Sequence, residues 1–355
     1  MRRIGVIGGG LAGLMIAHRR LAAGDDVVLF EAGARLGGQL WTERCEGFVV
    51  EHGAEGFLAR SEVVPALAAE IGIGGDLLAQ AEQRSWGLDD RGLRELAPGE
   101  AAAFLGFAIP REELGRGLRT FRRGMGQLTE ALEQVIGGRA EIRRATRVTA
   151  VLPGRDGVRI AAADTDTQVD AAVITTPAAR AALLLEGAFG DAARALASSL
   201  TISSVTVTLA FPRAAIDHPL DGSGFVVAEA QQREGLRAAT FVTSKFPDRA
   251  PDGQAAVRLF FRPARGDEAL DDAAWIARAE AGFARVIPVR GGATRAWVAR
   301  WLDAMPGFDR RHAERVQVLE GALAESGILL AGAAFHGSGL DAAARSAEAA
   351  ARLLG

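Results

Sequence analysis

The feature that most constrains this chain is a glycine triplet set between a strand and a helix near its start. Residues 4–7 form a short apolar run ending in Gly8-Gly9-Gly10, and Leu11, Leu14, Ala17, His18 and Leu21 then recur at helical spacing until Gly24 stops the pattern. Residues 27–30 follow as a buried strand. Strand, glycine turn, helix and strand together predict the opening βαβ unit of a doubly wound α/β sheet. In Gly8-x-Gly10-x-x-Gly13 the glycines permit a tight turn and let backbone approach a pyrophosphate at the helix N-terminus. Glu31, eighteen residues after Gly13, ends the second strand, where a carboxylate can bond both ribose hydroxyls. Strand, helix and acid in one register favour a dinucleotide site over a plain packing turn.

The residues after Glu31 indicate which dinucleotide. Ala32-Gly33-Ala34-Arg35-Leu36-Gly37-Gly38, followed by Thr42, offers an arginine and a glycine pair that a nicotinamide site has no particular need of. An extended FAD uses them, the arginine near phosphate and the glycines where backbone passes the flavin. No second strand–GxGxxG–helix unit occurs, so reduced flavin must be discharged by oxygen or another acceptor, which favours an oxidase over a reductase.

Further along, residues 63–71, 127–136, 273–286 and 341–354 have helical patterning, while 140–152 with 158–161 predict a strand hairpin around Gly154-Arg155-Asp156-Gly157. Residues 170–175 and 328–331 are buried strands. Residues 201–211, 223–228, 238–244 and 255–261 are rich in Val, Thr and Phe with partial alternation, which predicts an antiparallel sheet with one solvated face. The expected division is a discontinuous FAD-binding domain over 1–72, 121–190 and 320–355, and a substrate domain over 73–120 and 191–319.

Composition excludes several other classes. A 355-residue chain that is 49% hydrophobic and 24% charged, with net charge −3, is globular and has no large positive field for a nucleic-acid backbone. The single cysteine, Cys45, excludes a disulfide framework and fits a reduced cytoplasm, and the five scattered histidines argue against a metal site. No apolar run of about 18 residues is present to cross a membrane. The Met1-Arg2-Arg3 start followed by apolar residues resembles a signal peptide, but its glycines and the lack of a small-residue cleavage site favour folded structure. Forty arginines stand against one lysine, Lys245, and tyrosine is absent, so no tyrosine can form an aromatic cage or act as an acid.

Seven segments, in order along the chain, resemble the flavin amine oxidase superfamily and its protoporphyrinogen oxidase branch. They are GGGLAGL (8–14), EAGARLGGQLWT (31–42), EHGAEGFLAR (51–60), FRRGMGQLTEAL (121–132), TSKFPDRAPDGQAAVRLFF (243–261), RWLDAMPGFDRRH (300–312) and AGAAFHGSGL (331–340). The resemblance implies a Rossmann-like, glutathione-reductase-type FAD domain with an antiparallel substrate domain. It implies that Gly8, Gly10 and Gly13, with Leu11 and Ala12, form the pyrophosphate turn, and that Glu31, beside Ala32, binds ribose. Arg35, Gly37, Gly38 and Thr42 correspond to the phosphate and flavin approach, Gly53 and Ala54 to backbone passing the isoalloxazine, and Val148 to the adenine contact. Gly332, Gly339 and Leu340 correspond to the closing turn, whose amides face pyrophosphate and flavin O2.

The chain also departs from the family. Ala333 replaces the usual Asn, Asp or Glu, and Lys245 falls in a surface-like segment, leaving no evident counterpart of the flavin-N5 lysine of amine oxidases. Only 62 residues separate EHGAEGFL from FRRGMGQL, so most of the helical region that caps the channel and docks on membrane is missing and a soluble protein with a more open site is expected. Cys45 lies outside the C-terminal part where monoamine oxidases attach flavin, so the FAD is expected to be non-covalent. His336 and His52 are candidate proton carriers against solvated or structural roles, and Arg60 and Arg84 candidate carboxylate clamps against surface roles.

These observations leave three expectations for function. The first is a soluble FAD oxidase that takes hydride from a carbon beside nitrogen, with a porphyrinogen, coproporphyrinogen or protoporphyrinogen, as the implied substrate and oxygen as the acceptor. The second is oxidation of a different small amine, pyrrole or indole, and the third a flavin-binding protein without turnover. The purified protein is expected to be yellow, and acid precipitation to release FAD into the supernatant. Flavin held in the denatured pellet, or bound NADP without flavin, would contradict this.

Overall fold

Two sheets built on opposite rules organise the chain, one parallel and buried on both faces, the other mostly antiparallel. The computed structural model describes residues 1–105, 117–163 and 165–355. Residues 106–116, within the expected 73–120 segment, and residue 164 lie outside the described residues.

The parallel sheet has five strands in the spatial order Glu141–Arg143, Asp26–Phe30, Arg3–Ile7, Ala171–Ile174, Ile328–Leu330. Its central strands are apolar on both faces because helices cover both. Leu11–Ala22, Gly126–Ile136 and Leu340–Leu353 pack on one face, while Ala178–Ala197 and His312–Leu323 lie on the other with the three-stranded meander Val148–Gly154, Gly157–Ala162, Asp166–Val169. Arg20 ties the first helix to the chain end: it pairs with Asp25 and donates to the carbonyls of Ala351 and Gly355. The last strand thus returns to the nucleotide-type sheet only near residue 330, after the whole second sheet.

That second sheet has seven strands in the order Arg295–Pro306, Thr201–Pro212, Gln254–Phe261, Leu236–Phe241, Gly224–Val227, Trp86–Asp89, Gly92–Glu95. The four strands expected from the sequence pair antiparallel with one another, and the one parallel pairing is that of Gly224–Val227 with the added strand Trp86–Asp89. Asp272–Val286 covers one face. Asp271 accepts a hydrogen bond from the Ala274 N–H and so caps the helix start, and Trp275, Ala279 and Phe283, four residues apart, are fully buried on the sheet.

Two local expectations are corrected. Residues 140–152 are not one strand: Ala145 has φ 50° and turns the chain between a short strand of the parallel sheet and the meander. Residues 238–244 end as a strand at Phe241, and Val242–Lys245 makes one helical turn. Phe283 stacks on Phe211 at 5.8 Å between ring centres, and F283A is expected to cost about 3–5 kcal/mol, the range for emptying a buried aromatic site. A urea midpoint unchanged from the wild type would contradict this account of the second core.

Candidate cofactor and active site

Backbone geometry, more than side chains, builds the candidate site. A Cβ on Gly13 would meet the Gly8 carbonyl oxygen at 1.9 Å, so only glycine lets the first helix start this close to the strand. Gly8 itself has φ 111°, and the Thr175 hydroxyl holds the turn by donating toward the carbonyls of Ile7 and Gly8 at 3.0 and 2.9 Å. The helix N-cap is Gly10, with no side-chain cap and no acid in the first turn. Its first-turn amides therefore keep their capacity for an anion. A Cβ on Gly10 would meet nothing nearer than the Gly38 Cα at 4.0 Å, so a side chain there would fill the cradle and not collide with the fold.

At one end of the cradle, Glu31 accepts from the Gly9 N–H at 2.9 Å and the Gly33 N–H at 2.7 Å, one with each oxygen. Each carboxylate oxygen keeps a further lone pair, which ribose hydroxyls require. Toward the other end the path stays free of side chains. Gly37 bridges to Gly10, a Cβ on Gly38 would meet the Gly10 Cα at 3.1 Å, and one on Gly53 would meet the Gln39 carbonyl oxygen at 1.7 Å. The Ala54 N–H donates to that same Gln39 carbonyl at 3.1 Å. Gly332, at φ 111°, stands over Ala12, and its N–H donates to the Ser346 hydroxyl at 3.0 Å. A carboxylate with spare lone pairs, a bare helix N-terminus and a Cβ-free path fit an extended FAD. The second sheet meets this path at Gln39, whose amide donates to the Ala304 carbonyl at 2.6 Å.

Other expected site residues are engaged elsewhere. Arg35 folds back onto the carbonyls of Leu36, Leu40 and Gly38 and over the Trp41 ring, so it shapes the glycine turn, and burial pulls its pKa down. Thr42 bonds Glu51 and the Gly126 N–H, both at 2.7 Å. Val148 is buried at the start of the meander, with its carbonyl taken by Arg180 at 2.5 Å. Gly339, φ 89°, is the uncapped start of the closing helix, Leu340 is its first residue, and Ala32 is exposed beside Glu31.

His52 is buried, stacked on Trp41 at 4.1 Å and bonded to Glu43 at 2.9 Å; burial lowers its pKa against the pull of that carboxylate. His336 turns outward to Glu320 at 2.8 Å and Ser346 at 3.1 Å. Arg84 is paired with Asp221 at 2.7 Å, and Arg60 is exposed with a contact of its own. Cys45 is half-buried in the hairpin Thr42–Cys45, Phe48–Glu51.

Lys245 requires a correction. It is not at the surface: its side chain is 9% exposed and its ammonium pairs with Glu55, directly after the Gly53-Ala54 backbone. Burial alone would raise the Glu55 pKa, but Lys245, Arg258 and Arg249 around it hold it below the usual range. Glu51 is also buried, which pushes its pKa up, with Arg249 at 3.9 Å. Sequence reading missed this cluster, and Thr175 and Ser346 with it. The signals available were Glu51 and Glu55 flanking Gly53, and Lys245, Arg249 and Arg258 together in one motif segment.

Residues 98–354 match the flavin containing amine oxidoreductase family, and residues 6–71 match an NAD(P)-binding Rossmann-like domain. The chain belongs to the flavin containing amine oxidoreductases. Among its relatives it is similar to coproporphyrinogen III oxidase of Propionibacterium freudenreichii subsp. freudenreichii, 37% identical over 233 residues, which are 62% of this chain and 42% of that protein. It is also similar to coproporphyrinogen III oxidase of Bacillus subtilis (strain 168), 23% identical over an alignment of 452 positions taking in 96% of this chain and 95% of that enzyme. This chain thus spans less than half of the first relative. In fold it resembles a protoporphyrinogen oxidase-like protein from Exiguobacterium sp. 255-15, with TM-score 0.86, 23% identity and coverage of 99% and 98% of the two chains.

The cradle predicts different outcomes for two glycines. G10V is expected to fold and lose FAD, because the added methyls enter open space, whereas G13V is expected not to fold. E31A is expected to weaken FAD binding by about 1.5–3 kcal/mol, the range for hydrogen bonds to a charged group. Titration of each apoprotein with FAD is the measurement, and unchanged affinity in both G10V and E31A would refute the site.

Proposed function

We propose that the chain is an FAD-dependent porphyrinogen oxidase acting on coproporphyrinogen III, with the cofactor held by Gly8, Gly10–Gly13, Glu31, Gly37, Gly38, Gly53 and Gly332. The cofactor-binding part is assigned to residues 1–72, 121–190 and 320–355, and the substrate part to 73–120 and 191–319. The observation that carries the reading is the Cβ-free path from the first helix to Gly53, ending against the second sheet; the coproporphyrinogen III oxidase relatives support the choice of substrate.

Bound FAD supplies a two-electron acceptor for hydride from a carbon beside nitrogen. The chain's own contribution is orientation and exclusion of water: the Gln39–Ala304 and His52 contacts hold the second sheet against the cradle, and the substrate lies between them. A porphyrinogen needs three such two-electron removals, each followed by discharge to oxygen as the proposed acceptor. Among the described residues no helix is long and apolar enough to cross a membrane. Arg60 and Arg84 are the proposed partners for the carboxylates of such a substrate, and each already has a contact in the fold, Arg84 with Asp221.

The test is anaerobic mixing of the FAD-loaded protein with coproporphyrinogen III, protoporphyrinogen IX, and simple amines and pyrroles, following loss of flavin absorbance. Bleaching is expected first and fastest with coproporphyrinogen III. Bleaching by a small amine or pyrrole alone would replace this reading with the second expectation, and bleaching by none would leave a flavin carrier.

A further inference from the structure

Beneath the backbone of residues 51–55 lies a closed group of charges that the proposed reaction does not use. Glu51, Glu55, Arg249 and Arg258 line one small cavity, and Lys245 joins it through Glu55. Three cations face two carboxylates, so the group carries excess positive charge. Arg258 is 3% exposed and forms no ion pair among the described residues, and its Nε and Nη1 meet no partner. Its remaining nitrogen, Nη2, donates to the Thr206 hydroxyl at 3.2 Å and to the His52 carbonyl at 2.9 Å. That same carbonyl accepts the Trp301 indole N–H at 2.6 Å.

Two donors, from the strands on either side of Thr201–Pro212, therefore fix the peptide between His52 and Gly53. In a trans peptide the carbonyl and the following N–H point opposite ways, so the Gly53 N–H is turned away from Arg258 and Trp301. Gly53 is half-buried, and among the described residues its N–H has no partner. Gly53 cannot shift toward Gln39, whose carbonyl oxygen already occupies the space of a Cβ.

We propose that Arg258, together with Trp301, is a positioning residue that fixes the Gly53 amide as a hydrogen-bond donor to the flavin. With its unpaired charge behind that peptide, Arg258 also raises the flavin's reduction potential. This rests on the reading that Gly53 borders the flavin ring. Two-electron reduction adds electron density to the ring, so a fixed donor and a nearby positive charge both favour the reduced form. A guanidinium that merely fills the core would leave the potential where it is.

The experiment is a dye-coupled reductive titration of FAD-loaded wild type, R258Q and W301F, with FAD content measured after acid release. R258Q is expected to retain full FAD content and to shift the two-electron reduction equilibrium at least tenfold toward oxidised flavin, about 30 mV. W301F keeps the charge and loses one donor; its visible flavin bands are expected to move, and its equilibrium to shift by a smaller factor. Unchanged potentials in both variants at full FAD content would overturn the assignment. If R258Q does not fold, W301F decides alone, and an unchanged spectrum and potential would overturn it. Wild-type protein that binds no FAD would overturn the cofactor reading, and this assignment with it.

Discussion

The contact on which the rest of the structure depends is between two backbones, the Gly13 α-carbon and the Gly8 carbonyl. Because no side chain separates them, the first helix begins directly over the end of the first strand and presents uncapped amides at that point. Glu31 is held there by two further amides, those of Gly9 and Gly33, so turn and carboxylate define one another. A single Cβ at residue 13 would displace the helix, and with it Ala12, over which Gly332 of the closing turn is placed. The cofactor end of the molecule is therefore specified by absences of side chain, which explains why glycines carry so much of it.

What the sequence makes legible is what is local. Glycine spacing, a helical stripe and an acid at a strand end are local patterns, and they placed the cradle and the doubly wound sheet without any long-range information. Lys245 was misplaced because its partner Glu55 is 190 residues away, and a lysine among Pro, Asp and Arg has surface composition. The strand Arg295–Pro306 escaped notice because only Ala299 in it is fully buried and its polar and apolar residues do not alternate. Residues 140–152 looked like one strand because nothing local reports that Ala145 adopts a positive φ; its N–H is drawn to the Gly33 carbonyl, and the neighbouring Thr146 N–H to that of Glu31.

Burying charge beside the candidate site runs against stability. Desolvating an ion costs several kcal/mol even after relaxation, and a pair recovers this only with good geometry on every donor. Arg258 and Arg249 leave donors unmet, whereas Lys245 and Glu55 satisfy each other. Apolar residues of similar volume would fill the space between the hairpin Thr42–Cys45, Phe48–Glu51 and the second sheet at lower cost. Retention of polar groups there is understandable where an electron acceptor needs a defined field, and less so as a means of holding two elements together.

The second sheet meets the cradle through a small set of polar contacts, Gln39 to Ala304 and the His52 carbonyl to Arg258 and Trp301, and these involve backbone carbonyls on one side of each bond. Contacts of that kind place few demands on which side chains line the space between. In this chain the cradle is set by glycines and a few fixed carbonyls, whereas the side chains of the facing strands are not constrained by those contacts. Backbone therefore specifies the cradle, and the side chains of the strands that face it are where discrimination among molecules meeting the cradle has to reside.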